Sequence, residues 1–163
     1  MLFRPWLRKL LFDGVPSSTA LYDLDIVPAL FNLGYELFRD QEKLHATFIV
    51  GGLLEPAKNL PSLDAKIDMI GALNLLYLIR LEEQKRVACR LTGSTKQVSS
   101  STILGRQIGV PVAGQYHGFT KDTTVYVRNV KTFQHFWEDV AVATGSTWTV
   151  DAFLESVESQ CLK

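Results

Sequence analysis

Apolar residues recur at helical spacing near the start of the chain, with Leu2, Phe3, Trp6, Leu7, Leu10 and Leu11 on one side and Arg4, Arg8 and Lys9 on the other. The pattern predicts a short amphipathic helix, followed by a turn through Asp13-Gly14 and Pro16-Ser17-Ser18. Pro28 is placed as the first residue of a helix running through Leu30, Phe31, Leu33, Leu37 and Phe38. Residues 45–50 are rich in β-formers and end in Gly51-Gly52, so they read as a strand closed by a turn. A loop bracketed by Pro56 and Pro61 leads to Ser62, an N-cap for a helix holding Leu63, Ile67, Ile70, Leu73 and Leu76 and reaching Leu81. That segment is apolar over so much of its circumference that it is expected to be the central core helix. Val87, Cys89 and Leu91 alternate with Ala88 and Arg90 as a half-buried strand would.

Residues 92–102 include seven hydroxyl side chains and read as a solvated connection. The next segment is apolar yet punctuated by Gly105, Gly109, Pro111 and Gly114, so it suits neither a good helix nor a long strand. It is expected to lie over the core or to insert into a neighbour. Thr123, Val125 and Val127 alternate with Thr124, Tyr126 and Arg128 in a predicted strand that turns at Lys121-Asp122 to form a hairpin. Thr132 is a candidate N-cap for a helix through Phe133, Phe136, Trp137 and Val140, ended by Gly145. A short strand at Trp148 and Val150 and a last helical turn near Phe153 follow. This order predicts an α+β fold, not alternating βαβ: a single compact domain with a small antiparallel sheet packed on a long core helix and a C-terminal helix. Residues 1–18 would be an N-terminal amphipathic arm and linker, and residues 19–163 the globular domain.

Composition narrows the class. With 163 residues, 47% of them apolar, the chain is large enough to bury a core without disulfides or metals. Two cysteines, Cys89 and Cys161, suit a reducing compartment. No run approaches the roughly 18 apolar residues of a membrane span, and the N-terminus does not read as a secretory signal. Net charge is zero but unevenly spread: residues 13–83 carry eleven acids against five bases, whereas residues 84–121 carry Lys85, Arg86, Arg90, Lys96, Arg106 and Lys121 with no acid. That block, which also holds His117, reads either as a surface for an acidic partner or as ballast for acids elsewhere on the fold.

Chemistry is sparse. His45, His117 and His135 are scattered, with no Gly-x-Ser-x-Gly elbow or cysteine signature, and read as surface or partly buried side chains. His135, Glu138 and Asp139 share a helix without a further ligand at metal-binding spacing, so no metal is expected. Gly93-Ser94-Thr95-Lys96 lacks the second glycine and the following hydroxyl of a P-loop. The pairs Asp23 with Asp25 and Glu82 with Glu83 have no apolar pocket to part their pKa values. These residues call for no catalysis and no cofactor.

The order of elements from His45 to Phe153 resembles the matrix proteins of rhabdoviruses, most specifically in the closing Gly145-Ser146-Thr147-Trp148-Thr149-Val150-Asp151. The resemblance implies a non-enzymatic virion protein that self-associates and bridges the nucleocapsid to an anionic membrane during assembly and budding. Its partners would be itself, the viral nucleoprotein and the membrane surface, with no small-molecule substrate. It would reside in the virion, the host cytoplasm and the inner face of host membranes. Leu2, Phe3, Arg4, Trp6, Arg8 and Lys9 would then bind membrane, the acid-free block would form the basic surface, and Ile103, Leu104, Ile108, Val110 and Val112 would mediate self-association. The basic N-terminal tail and the Pro-Pro-x-Tyr motif of the best-known members are missing, which suits a short, diverged or plant-infecting branch. The alternatives are a phage head-to-tail connector or tail-completion protein forming a ring, and a nucleic-acid module using Tyr116 and Phe119.

Overall fold

A computed structural model describes residues 5–16, 19–55, 60–118 and 123–156. Two units, residues 1–64 and 65–163, are each built round a strand–helix–strand crossover. In the first unit, α1 (Pro5–Phe12) leads to β1 (Leu21–Asp25), α2 (Ala29–Phe38) and β2 (Ala46–Val50). β1 and β2 run parallel, in register from Leu21 opposite Ala46 to Asp25 opposite Val50. A parallel pair needs a connection long enough to return the chain to its start, and α2 supplies it. The helix ends where Arg39 adopts a left-handed conformation and its N–H closes on the Tyr35 carbonyl at 2.7 Å.

Burial explains why α1 docks here. Leu7 packs with Leu21 and Leu44, with Leu10, Leu11, Tyr35 and Ala46 around them. Phe48 of β2 stacks on Phe31 at 4.3 Å and meets Tyr35 edge-on at 5.5 Å. Truncating one such buried leucine costs about 2–4 kcal/mol, so the helix is a working part of the unit.

In the second unit, β3 (Met69–Gly71) and β4 (Thr102–Leu104) are parallel, joined through a 3-10 turn at Leu76–Leu78 and α3 (Leu81–Ser94). β5 (Gly114–His117) and β6 (Thr124–Val127) form an antiparallel pair, and α4 (Val130–Thr144) follows. Asn129, not Thr132, caps α4: its side chain accepts from the Thr132 N–H at 2.9 Å, while Thr132 Oγ1 accepts from the Asn129 N–H at 3.1 Å. Gly145, with φ 65°, ends the helix as expected.

The chain therefore mixes helices with short two-stranded sheets, but several expectations need correction. Of the three strand pairs described, two are parallel and each is closed through a helix, so the small sheet is not simply antiparallel. The long core helix at residues 62–81 is absent: Leu60–Leu63 is a 3-10 turn, Ile70 lies in β3, and Ala65 and Asn74 take positive φ values of 53° and 51° that break any helix. An apolar run without clear periodicity does not by itself distinguish a strand from a helix. The strand expected at residues 87–91 is the middle of α3, whose buried Gln84, Val87, Ala88, Leu91 and Thr92 follow helical spacing. No strand or helix forms among the described residues after Gly145.

Candidate functional site

Two places gather groups with chemical potential, one in each unit. Parallel strands deliver their carboxyl ends to a common edge, which is where open α/β folds bind ligands. At that edge β1 ends in Asp25, whose Oδ1 accepts the Val27 N–H at 2.8 Å, and the Asp25 carbonyl accepts the Gly51 N–H at 2.9 Å. Gly51 and Gly52 follow β2 directly and are half-buried. Ile26, 71% exposed, flanks them. The edge thus presents a carboxylate and an exposed apolar side chain beside two half-buried glycines.

The second place is a cleft of about 180 Å³ lined by Tyr77, Ile108, Val110, Tyr116, His117, Gly118, Val125 and Val127. Its outer wall is the apolar loop after β4, pinned by the Val110 N–H to the Arg128 carbonyl at 3.2 Å and by the Tyr116 hydroxyl to the Val112 carbonyl at 2.6 Å. Behind it sits a buried cation. Arg128, 6% exposed, donates to Gln84 Oε1 and lies 4.2 Å from the Phe136 ring centroid and 5.3 Å from that of Tyr126. Gln84 in turn donates to the Ile79 carbonyl at 2.9 Å. Burial pushes the Arg128 pKa down, partly opposed by Tyr126.

The residues singled out in the sequence are dispersed among these elements. Leu2, Phe3 and Arg4 lie outside the described residues, as does Lys121. Trp6 is half-buried, Arg8 is bonded to Asp40, and Lys9 to Asp13. Lys85, Arg86 and Arg106 are exposed, Arg90 is half-buried on α3, and Lys96 is engaged with Asp68 at 2.7 and 2.8 Å. Ile103 and Leu104 pair with Ile70 and Gly71 in β4, Ile108 and Val110 line the cleft, and Val112 is 73% exposed. His135 pairs with Glu138 at 2.7 Å. Among the described residues no group of three or more His, Cys, Asp or Glu is placed to hold a metal. Sequence reasoning weighed Asp25 only as a carboxylate pair with Asp23 and did not single out the Gln84–Arg128 pair. The signal for Asp25 was an acid ending a β-rich segment just before a proline-started helix; for Arg128 a lone cation in a strand carried none.

No family model matches the chain. It is 32% identical over 145 residues to the O-methyltransferase phiE of a fungal species, covering 88% of this chain and 48% of that protein. It is 32% identical to the O-methyltransferase atr3 of Stereocaulon alpinum, covering 91% and 43%. To the Asnovolin E/Chermesin D methyltransferase nvfJ of Aspergillus novofumigatus the identity is 29%, covering 92% and 54%. The chain spans about half the length of the curated relatives it matches. These likenesses overturn the resemblance to rhabdovirus matrix proteins, and with it the virion, nucleocapsid and budding roles and the phage-connector alternative. They also overturn the expectation of a protein without catalysis or small-molecule substrate, because every relative compared is a methyltransferase.

Proposed function

We propose that this chain supplies part of an O-methyltransferase that moves the methyl group of S-adenosylmethionine to an oxygen of a small organic acceptor. The observation that carries the reading is the likeness to named methyltransferases along about nine-tenths of the chain. The carboxyl edge of β1 and β2 supports it and suits the donor's nucleoside. Asp25 offers a carboxylate for ribose hydroxyls and Ile26 an apolar flank for the base. When bound, the donor supplies an electrophilic methyl on a sulfonium. The protein's task is to hold that carbon in line with the acceptor oxygen and to exclude water.

Calorimetric titration of the full chain with S-adenosylhomocysteine tests the reading. Binding is expected, and Asp25→Asn should weaken it about tenfold, the worth of a charge-assisted hydrogen-bond pair, while keeping the turn at Val27. No heat from the unaltered chain at millimolar ligand, or equal affinity in the variant, would overturn the assignment of this edge.

A further inference from the structure

Arg128 carries a binding chemistry that the methyl-transfer reading leaves unused. Its side chain is 6% exposed, and the guanidinium carbon lies over the rings of Phe136 and Tyr126, 4.2 and 5.3 Å from their centroids. Nη1 donates to Gln84 Oε1. Gln84 is held in that orientation by its own Nε2, which donates to the Ile79 carbonyl at 2.9 Å. What remains of the guanidinium is the edge formed by Nε and Nη2. The N–H bonds along that edge run parallel, a fork that matches the two oxygens of a carboxylate. Neither nitrogen is among the described polar atoms that are both sealed from solvent and without a partner, so the edge keeps a narrow opening.

A guanidinium in such surroundings is costly. An amide and two rings ease a positive charge without neutralising it. Among the described residues the hydrogen-bond partner of Arg128 is Gln84, which is uncharged, and burial pushes the Arg128 pKa down against the opposing effect of Tyr126. The groups that frame the site all belong to the second unit. Arg128 follows the last residue of β6, so roughly 13 Å of strand separates it from Thr124, the end next to residues 119–122.

We propose that the Nε–Nη2 edge of Arg128 binds the carboxylate of a small organic acid, side-on, through two charge-assisted hydrogen bonds. The ligand class follows from what is present: a cation fixed by Gln84 and two rings, a two-donor edge, and an opening that admits a flat anion more readily than a tetrahedral one. An anion seated there supplies the counter-charge that the amide and the rings do not. The site takes part in no step of methyl transfer and stands apart from that reading.

The probe is sodium acetate, added to the full chain and compared with sodium chloride at equal ionic strength and with sodium phosphate. In proton–nitrogen spectra of the arginine side chains, the Nε–H resonance lost in Arg128→Lys should move with acetate and saturate with a midpoint of about 1 mM, the affinity that two such bonds support. Chloride should leave that resonance in place, and phosphate should bind at least tenfold more weakly. The melting temperature of the unaltered chain should rise by several degrees in about 100 mM acetate, as expected for a ligand that binds the folded state alone. Arg128→Lys, which keeps the charge and loses the fork, should lose that rise. Gln84→Glu, which sets a carboxylate of the protein's own against Arg128, should weaken acetate at least tenfold. An Arg128 resonance unmoved by acetate, an equal response to chloride, or equal affinity for phosphate would each overturn the proposal.

Discussion

Arg8 lies over the Phe38 ring, 4.2 Å from its centroid, and meets both oxygens of Asp40 at 2.6 and 3.0 Å. Gly34 lies beside it, where a Cβ would make ordinary contact with the guanidinium at 3.4 Å. Both members of the pair are mostly buried, so reversing the charge breaks a sheltered contact rather than a solvated one. Arg8→Glu is expected to lower stability by about 2–3 kcal/mol in urea unfolding. Arg128 makes a different case, a buried cation whose described partners are an amide and two rings. Removing Gln84 Oε1 strands a charged donor, whereas removing both groups leaves two apolar side chains. Gln84→Met should therefore cost more than Gln84→Met and Arg128→Met together, a sign that a double-mutant cycle in urea reads directly.

At the level of elements, the ends of helices carry their own tests. Loss of the Asn129 cap in Asn129→Ala should cost about 1 kcal/mol and show as faster amide exchange in the first turn of α4. At the start of α3, Arg80 bonds Glu83 at 2.8 and 3.0 Å, and this contact holds the Glu83 carboxyl below its ordinary value. A depressed folded-state pKa gives a contribution present above the unfolded value and lost as pH falls through the folded one. The stability difference between the unaltered chain and Arg80→Ala should thus fade below the usual carboxylate range, as thermal melts at pH 7 and pH 3 would record. Elements with strictly local causes were legible in the sequence: α2 after Pro28, the strand at residues 46–50, the hairpin, and α4 before Gly145. The segment from Leu60 to Ser94 was not, because Leu63, Ile70 and Leu76 serve a turn, a strand and another turn, and only their neighbours in space distinguish these uses.

For the molecule as a whole, both candidate sites depend on contacts between residues far apart in the chain. Asp25 gains meaning only when β1 lies beside β2, and Ile108 and Val110 only when their loop meets β5 and β6. The sequence marked that loop as unusual yet gave no sign of the wall it forms. Hydrogen exchange checks the first of these sites: S-adenosylhomocysteine should slow the amides of residues 25–27 and 51–52 and leave those of residues 108–118 and 124–127 unchanged. The parallel pairing has a consequence in time as well. Leu21 must find Ala46, and Met69 must find Thr102, across 25 and 33 residues of chain, whereas β5 and β6 are near neighbours in sequence, with His117 opposite Thr124. Closing the longer separations is the entropic bottleneck. On dilution from urea, the hairpin and α4 should gain protection first, and the edge that carries Asp25 should be among the last parts of the fold to become able to bind anything.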